Sequence, residues 1–311
     1  MPAAIATSDL TKHFPGVTAV DHLTFEVHAG EIFGLVGPDG AGKTTTLRML
    51  AGVLTPDWGS AAVAGADIVR DPEVAKARLS YMPQRFGLYE DLTVAENIRF
   101  YADVFGVSRA ERATRARHLL DAAGMSPFTD RLAGKLSGGM KQKLGLVCAL
   151  IHRPRVILLD EPTNGVDPVS RRDFWGILYS LLNEGIAILM STSYLDEAER
   201  CHRVALLDQG HMLYCEAPSG LKTHLHGAVL SVIGHDAREI RAALVGADGV
   251  RNALLVGDGV HLVVDHAARR IPELRAALEA TGLSYDRLEE VAPTIEDLFV
   301  AATSGAGEEK A

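Results

Sequence analysis

The chain has 311 residues, of which 47% are hydrophobic and 23% charged, and a formal net charge of −9. That length holds one large domain and a small one, each able to bury a core, and the composition excludes disordered and fibrous classes. The acidic balance weighs against a nucleic-acid binder. The three cysteines, Cys148, Cys201 and Cys215, lack zinc-ligand spacing and read as the reduced thiols of a cytosolic protein.

Taken in order, residues 5–31 alternate short strand-like runs with turns. "IFGLVG" (32–37) predicts a buried strand that runs into a glycine loop and then a helix from about Lys43. Residues 85–135 break this rhythm as a helical, arginine-rich insertion, part of a helical subdomain spanning about 85–155. "VILLD" (156–160) and "AILMSTS" (187–193) are again unbroken apolar runs, as a parallel sheet covered on both faces requires. Between them, Phe174, Ile177, Leu178, Leu181 and Leu182 share one helical face and Gly185 sits where a C-cap belongs, which makes a βαβ unit. No apolar run approaches the roughly 18–20 residues that span a bilayer, and the N-terminus has no signal-peptide pattern, so a soluble chain is expected.

After about residue 217 the texture changes. "AVLSVIG" is strand-like, "REIRAALVGA" helical, and "VRNALLVGDGVHLVVDH" a hairpin turning at Gly257-Asp258-Gly259. "IPELRAALEATG" is helical and "LSYDRLEEV" a last strand. This β-α-β-β-α-β order predicts a small ferredoxin-like α+β domain over 218–303, behind a first domain of residues 1–217. Thr294 and Asp297 have the spacing of a capping box, and 304–311 reads as an unstructured tail.

"GPDGAGKT" (37–44) matches the G-x-x-x-x-G-K-[ST] phosphate loop in the context that gives it meaning, after a strand and opening a helix. Gly37, Gly40 and Gly42 let backbone N–H groups curl toward a phosphate. Lys43 reaches its outer oxygens and the Thr44 hydroxyl can ligate Mg²⁺. Pro38, Asp39, Ala41 and Thr45 complete the loop and the first helical turn. Asp160 leaves the end of its strand placed for Mg²⁺, and Glu161 follows it where a carboxylate can polarise a water. These two motifs alone say only that the chain is an NTPase. "LSGGMKQKLGLVCALI" (136–151) adds Ser137, Gly138 and Gly139 at a helix N-terminus, a second anion site.

With "YMPQ" (81–84), "NGVDP" (164–168) and "LTKHFPG" (10–16) added, the chain resembles the nucleotide-binding subunit of an ATP-binding cassette (ABC) transporter over about residues 5–217. The resemblance implies an α/β P-loop cassette, with a parallel core sheet, an antiparallel β subdomain and a helical subdomain. Its ligands would be ATP and Mg²⁺. Thr44, Gln84 and Asp160 would hold the metal, and Gln84 would also touch the attacking water. Phe14, with Val20 nearby, would stack on adenine. Ser137, Gly138, Gly139 and Asp167 would act in trans on the ATP of a second ABC cassette. "YLDEAERC" (194–201) and the ending "PTIEDLFVAATSG" are similar to the drug-exporting subset that drives an ABC-2-type transmembrane permease, and especially to the N-terminal cassette of a bacterial tandem-cassette exporter ATPase. That implies a place on the inner face of the plasma membrane, no nucleic-acid partner, and contact with the permease through segment 84–106. A soluble cassette protein of translation or DNA maintenance is the alternative from another class. It usually has two cassettes or a long coiled coil, and neither is present.

Two positions depart from the family's pattern. Asp39 replaces an asparagine and brings a carboxylate near polyphosphate. Ser193 replaces the switch histidine that donates a hydrogen bond to the γ-phosphate. Serine is shorter and uncharged, so it acts there only through a water. Losing one such donor costs on the order of 10²–10³ in rate. The expectation is ATP binding with slow hydrolysis, beside a cassette that keeps its histidine, or a nucleotide-gated subunit with negligible turnover.

Overall fold

The computed structural model describes residues 3–85 and 87–305. The chain divides into two compact units, Met1–Cys215 and Glu216–Ala311.

The first unit opens with β1 (Ile5–Phe14), β2 (Val17–Leu23) and β3 (Glu26–Val27), followed by the central strand β4 (Ile32–Val36) and α1 (Lys43–Leu50). Next come β5 (Trp58–Val63), β6 (Ala66–Asp67), α2 (Pro72–Arg78) and β7 (Leu79–Met82). These short strands are not continuous apolar runs, so the sequence reading does not resolve them one by one, although the resemblance implies an antiparallel β subdomain here. An antiparallel sheet forms in the order β2-β1-β5-β6, with β3 on β1. The helical insertion holds α3 (Val94–Val104), α4 (Arg109–Ala122) and α5 (Gly138–Leu150). α3 begins at a complete capping box, in which the Thr93 hydroxyl accepts from the Glu96 N–H while the Glu96 carboxylate accepts from the Thr93 N–H at 2.8 Å.

β8 (Val156–Asp160), α6 (Pro168–Leu182) and β9 (Ala187–Thr192) are the expected βαβ unit, and α7 (Leu195–Ala198), β10 (Arg203–Asp208) and β11 (His211–Glu216) close the unit. The main sheet runs β11-β10-β4-β9-β8-β7, with β10, β4, β9, β8 and β7 parallel to their neighbours. Every residue of β4, β8 and β9 is buried, which is why these strands are unbroken apolar runs rather than alternating ones. Trp175 of α6, absent from the expected apolar face, is buried, whereas Leu182 is only half-buried.

In the second unit, α8 (Pro218–Leu221) leads to β12 (Ala228–Ile233), α9 (Ala237–Leu244), β13 (Val250–Val256), β14 (Gly259–Val264), α10 (Ala267–Thr281), β15 (Arg287–Val291) and α11 (Ile295–Gly305). Its antiparallel sheet has the order β13-β14-β12-β15, so the first and third strands of the β-α-β-β-α-β run lie in the middle, the ferredoxin-like arrangement. The hairpin turns on Gly257 and Asp258 alone, because Gly259 already pairs with Val256 as the first residue of β14. The tail expected from residue 304 starts instead as the last turn of α11, and 306–311 lie outside the described residues.

The Thr294–Asp297 capping box forms, and Asp297, 1% exposed, also lies 3.1 Å from His261 Nδ1. Burial alone would push its carboxyl up. The His261 contact and the Thr294 N–H and hydroxyl outweigh that, so it sits below its ordinary 3.8. A depressed carboxylate stabilises the fold above its unfolded value and loses that contribution as pH falls through its folded one. Asp297→Ala is therefore expected to destabilise this unit by about 1–2 kcal/mol at neutral pH. In urea unfolding of the full chain, the gap between variant and parent should shrink as pH falls below about 4. A gap that did not change with pH would rule out the charged cap.

Candidate active site

The phosphate loop is built where β4 ends. A Cβ at Gly37 would run into the Leu207 carbonyl oxygen, and Gly42 combines a φ of +96° with an equally close approach to the Ala19 carbonyl, so neither position admits a side chain. The Gly37 N–H donates to the Thr192 carbonyl across 3.4 Å, which ties the start of the loop to the residue before Ser193. Lys43, 4% exposed, donates to the Gly37 carbonyl at 2.6 Å and the Pro38 carbonyl at 2.9 Å, and lies 3.5 Å from Glu161 Oε1. Asp39 is exposed on the loop.

The Thr44 hydroxyl donates to Asp160 Oδ1 at 2.9 Å. The Ser191 hydroxyl donates to the same oxygen at 2.7 Å and accepts from the Glu161 N–H at 3.0 Å. Tyr81 donates to Asp160 Oδ2 at 3.2 Å; burial and then the Asp160 charge push its phenol up to about 12, which keeps the proton on it. Thr44 and Asp160 bring hard oxygen donors together, and with the amide oxygen of Gln84 they would suit Mg²⁺, which takes such ligands and keeps several waters. When bound, the ion would offset charge on the phosphate oxygens.

Glu161 follows Asp160 with a left-handed φ of +47°, a conformation that costs a non-glycine residue about 1–3 kcal/mol and that turns its side chain out of the strand direction. Its Oε2 accepts from Gln84 Nε2 and from Asn164 Nδ2, both at 3.1 Å. Ser193 follows the end of β9 and is exposed. Below it Glu197, 0% exposed, accepts from Thr163 at 2.6 Å, Thr192 at 2.8 Å and the Trp175 indole at 3.3 Å. One buried carboxylate therefore fastens the loop after Glu161 to the segment that carries Ser193.

The structure thus gathers Lys43, Thr44, Asp160, Glu161 and Gln84 into one cluster. Ser137, Gly138 and Gly139 belong to a second cluster. Ser137 N-caps α5 by accepting from the Met140 N–H at 3.3 Å, and a side chain on Gly139 would collide with Ser170. No hydrogen bond or ion pair among the described residues links these three to the phosphate loop. One expectation needs correcting. Val20 is fully buried and packs on Gly42, so it backs the loop and offers no face to a base, whereas Phe14 keeps a 44% exposed ring at the end of β1. Asp167 is exposed and N-caps α6 through Oδ1, accepting from Ser170 and Val169 N–H groups at 2.9 and 3.1 Å, and the Ser170 N–H foremost holds its carboxyl below the usual range. The sequence reading passes over Ser191, Tyr81, Asn164 and Glu197. The register that sets Ser191 opposite Asp160 is the signal that finds the first, and it exists only in the folded sheet. The arrangement can seat a nucleoside triphosphate on the loop and hold a carboxylate beside its outer phosphate.

The family profile described as "ABC transporter" matches residues 20–164. The probable multidrug ABC transporter ATP-binding protein YbhF of Escherichia coli (strain K12) is 46% identical over 309 residues, 98% of this chain; the chain spans only 53% of that relative's length. The daunorubicin/doxorubicin resistance ATP-binding protein DrrA of Streptomyces peucetius is 40% identical over 236 residues, 76% of this chain and 72% of that protein. Among solved structures, an ATP binding subunit of an ABC transporter superposes with a TM-score of 0.65 at 30% identity, covering 71% of this chain and 92% of that one.

Proposed function

Because the chain belongs to the ABC transporter ATP-binding family, we propose that it is the ATP-binding and ATP-hydrolysing subunit of an exporter, closing with a second cassette on ATP to drive a separate ABC-2-type permease. The observation that carries this reading is the junction of β8 and β9 with the phosphate loop. Thr44 meets Asp160 there, and Glu161 is held by Gln84 beside Lys43. In-line attack of water on a terminal phosphate needs a phosphate cradle, metal ligands and a placed carboxylate, and the contacts at this junction support that reading.

The resistance and multidrug names of the relatives support a drug-like or hydrophobic cargo. No helix among the described residues is long and apolar enough to cross a membrane, so a partner would supply the spans. A cleft of about 310 Å³, lined by Val53, Tyr81, Tyr101 and Phe105, suits an apolar segment of that permease. Val53 is 67% and Phe105 40% exposed beside it. In this reading Phe14 stacks on adenine, and the exposed Ser137 and Gly138 complete the partner cassette's site. Ser193 makes this site the slow one of an unequal pair.

The test is to purify the chain from solubilised native membranes. A multi-span membrane protein should come with it, and Mg²⁺-dependent ATP hydrolysis should depend on Lys43. Recovery without a membrane protein would refute the transport role. Hydrolysis unchanged by Lys43→Met would refute the site.

A further inference from the structure

Two amides hold the same oxygen of Glu161, and only one of them belongs to the phosphate machinery. Gln84 reaches Oε2 from beyond β7. Asn164 reaches it from the loop that follows Glu161, at the same 3.1 Å. A carboxylate only accepts, so Asn164 must turn its NH₂ toward Glu161. Its carbonyl oxygen is then left pointing away. That oxygen accepts from the Tyr194 hydroxyl at 3.3 Å. Tyr194 directly follows Ser193, and its ring lies over the Arg171 guanidinium of α6 at 4.6 Å. Its backbone N–H donates to Thr192 Oγ1 at 3.0 Å, and Thr192 is bound in turn to the buried Glu197. The Tyr194 end of this path is therefore fixed by stacked and buried groups.

We infer that Tyr194 and Asn164 are positioning residues for Glu161, a hydrogen-bonded path by which the segment after β9 orients the base from behind. The inference rests on Glu161 being the base, as proposed above. With Oε2 held by two donors, Oε1 is the oxygen on the Lys43 side, 3.5 Å from its amine, and so the one turned to the phosphate loop. A carboxylate clamped at one oxygen keeps the other in a fixed direction, and a base that loses its orientation loses rate rather than substrate affinity. The path also gives the Ser193 segment a role that does not need a histidine: Ser193 cannot reach across to a phosphate, but its neighbour still acts on Glu161.

The experiment is a double-mutant cycle on Mg-ATP turnover by the full 311-residue chain, with ATP affinity measured separately by titration. Asn164→Leu removes the charge-assisted donor and should lower kcat by about tenfold. Tyr194→Phe, which keeps the ring and its Arg171 contact, should lower it by about threefold. KM and ATP affinity should stay within about twofold of the parent in both. The double variant should fall by about tenfold, as Asn164→Leu alone does, and not by the product of about thirty, because Tyr194 acts only through Asn164. Multiplicative effects, or a rise in KM with kcat unchanged, would overturn the path and leave the ATPase reading intact. A parent chain whose turnover is indifferent to Glu161→Gln would overturn both.

Discussion

Glu161→Gln is expected to lower kcat for ATP by about 10²–10⁴-fold, the range lost with a general base, while the chain still binds ATP. Glutamine keeps the shape and still accepts at its carbonyl oxygen, so the donors from Gln84 and Asn164 need not be stranded. It cannot take a proton, and it removes the negative charge 3.5 Å from Lys43. ATP affinity should be kept or rise, because the carboxylate's repulsion of the phosphates is gone. Steady-state turnover and equilibrium binding of ATP, measured side by side, separate the two effects. A variant that hydrolyses like the parent would remove Glu161 from the chemistry, and one that loses binding would make it a structural residue.

The second large effect has the opposite sign. Ser193→His is expected to raise turnover by about 10- to 100-fold with KM little changed, because it restores a donor that acts on charge developing in the transition state. The site can accept it: Ser193 is exposed, and the segment is tied on its N-terminal side, where the Thr192 carbonyl meets the Gly37 N–H at 3.4 Å. The buried contacts of Glu197 with Thr192 and Thr163 fix the same segment from below. A longer side chain there starts from a backbone already registered to the phosphate loop. Parent and variant would be compared by single-turnover hydrolysis. A parent that is already fast, and unchanged by histidine, would overturn the idea of a slow site and with it the argument for an unequal cassette pair.

The two variants probe opposite sides of one junction. Glu161 follows β8 and Ser193 follows β9, and the parallel register Asp160↔Ser191 keeps the two strand ends level. The chemistry therefore depends on how two apolar strands line up, although no catalytic group is apolar.

The line between what the sequence settles and what folding settles runs through this junction. β4, β8 and β9 were legible because complete burial demands continuous apolar runs, a local property of the chain. The phosphate loop was legible for a similar reason: Gly37 and Gly42 stand where close carbonyls forbid a side chain, so the required residue types are written into consecutive positions. The ferredoxin-like order of the second unit followed from alternating periods and turn signals in the same way. Ser191, Tyr81, Asn164 and Glu197 were not legible. Each acts through a partner 30 to 79 residues away, Ser191 and Tyr81 on Asp160, Glu197 on Thr163 and Asn164 on Tyr194, and those partners meet only once the strands have taken their register. An apolar run specifies that a strand is buried but is nearly indifferent to sliding, so it cannot say which hydroxyl faces Asp160. Val20 shows the converse. The family resemblance set it near the adenine with Phe14, but the fold buries it against Gly42, where an apolar side chain gains by packing. Sequence alone determined the fold class, the glycine loop between β4 and α1 and the serine at position 193. Tertiary structure decided that Asp160 meets Ser191 and Tyr81 and that Glu197 is buried as a fastener, since those roles depend on distances between segments far apart in the chain.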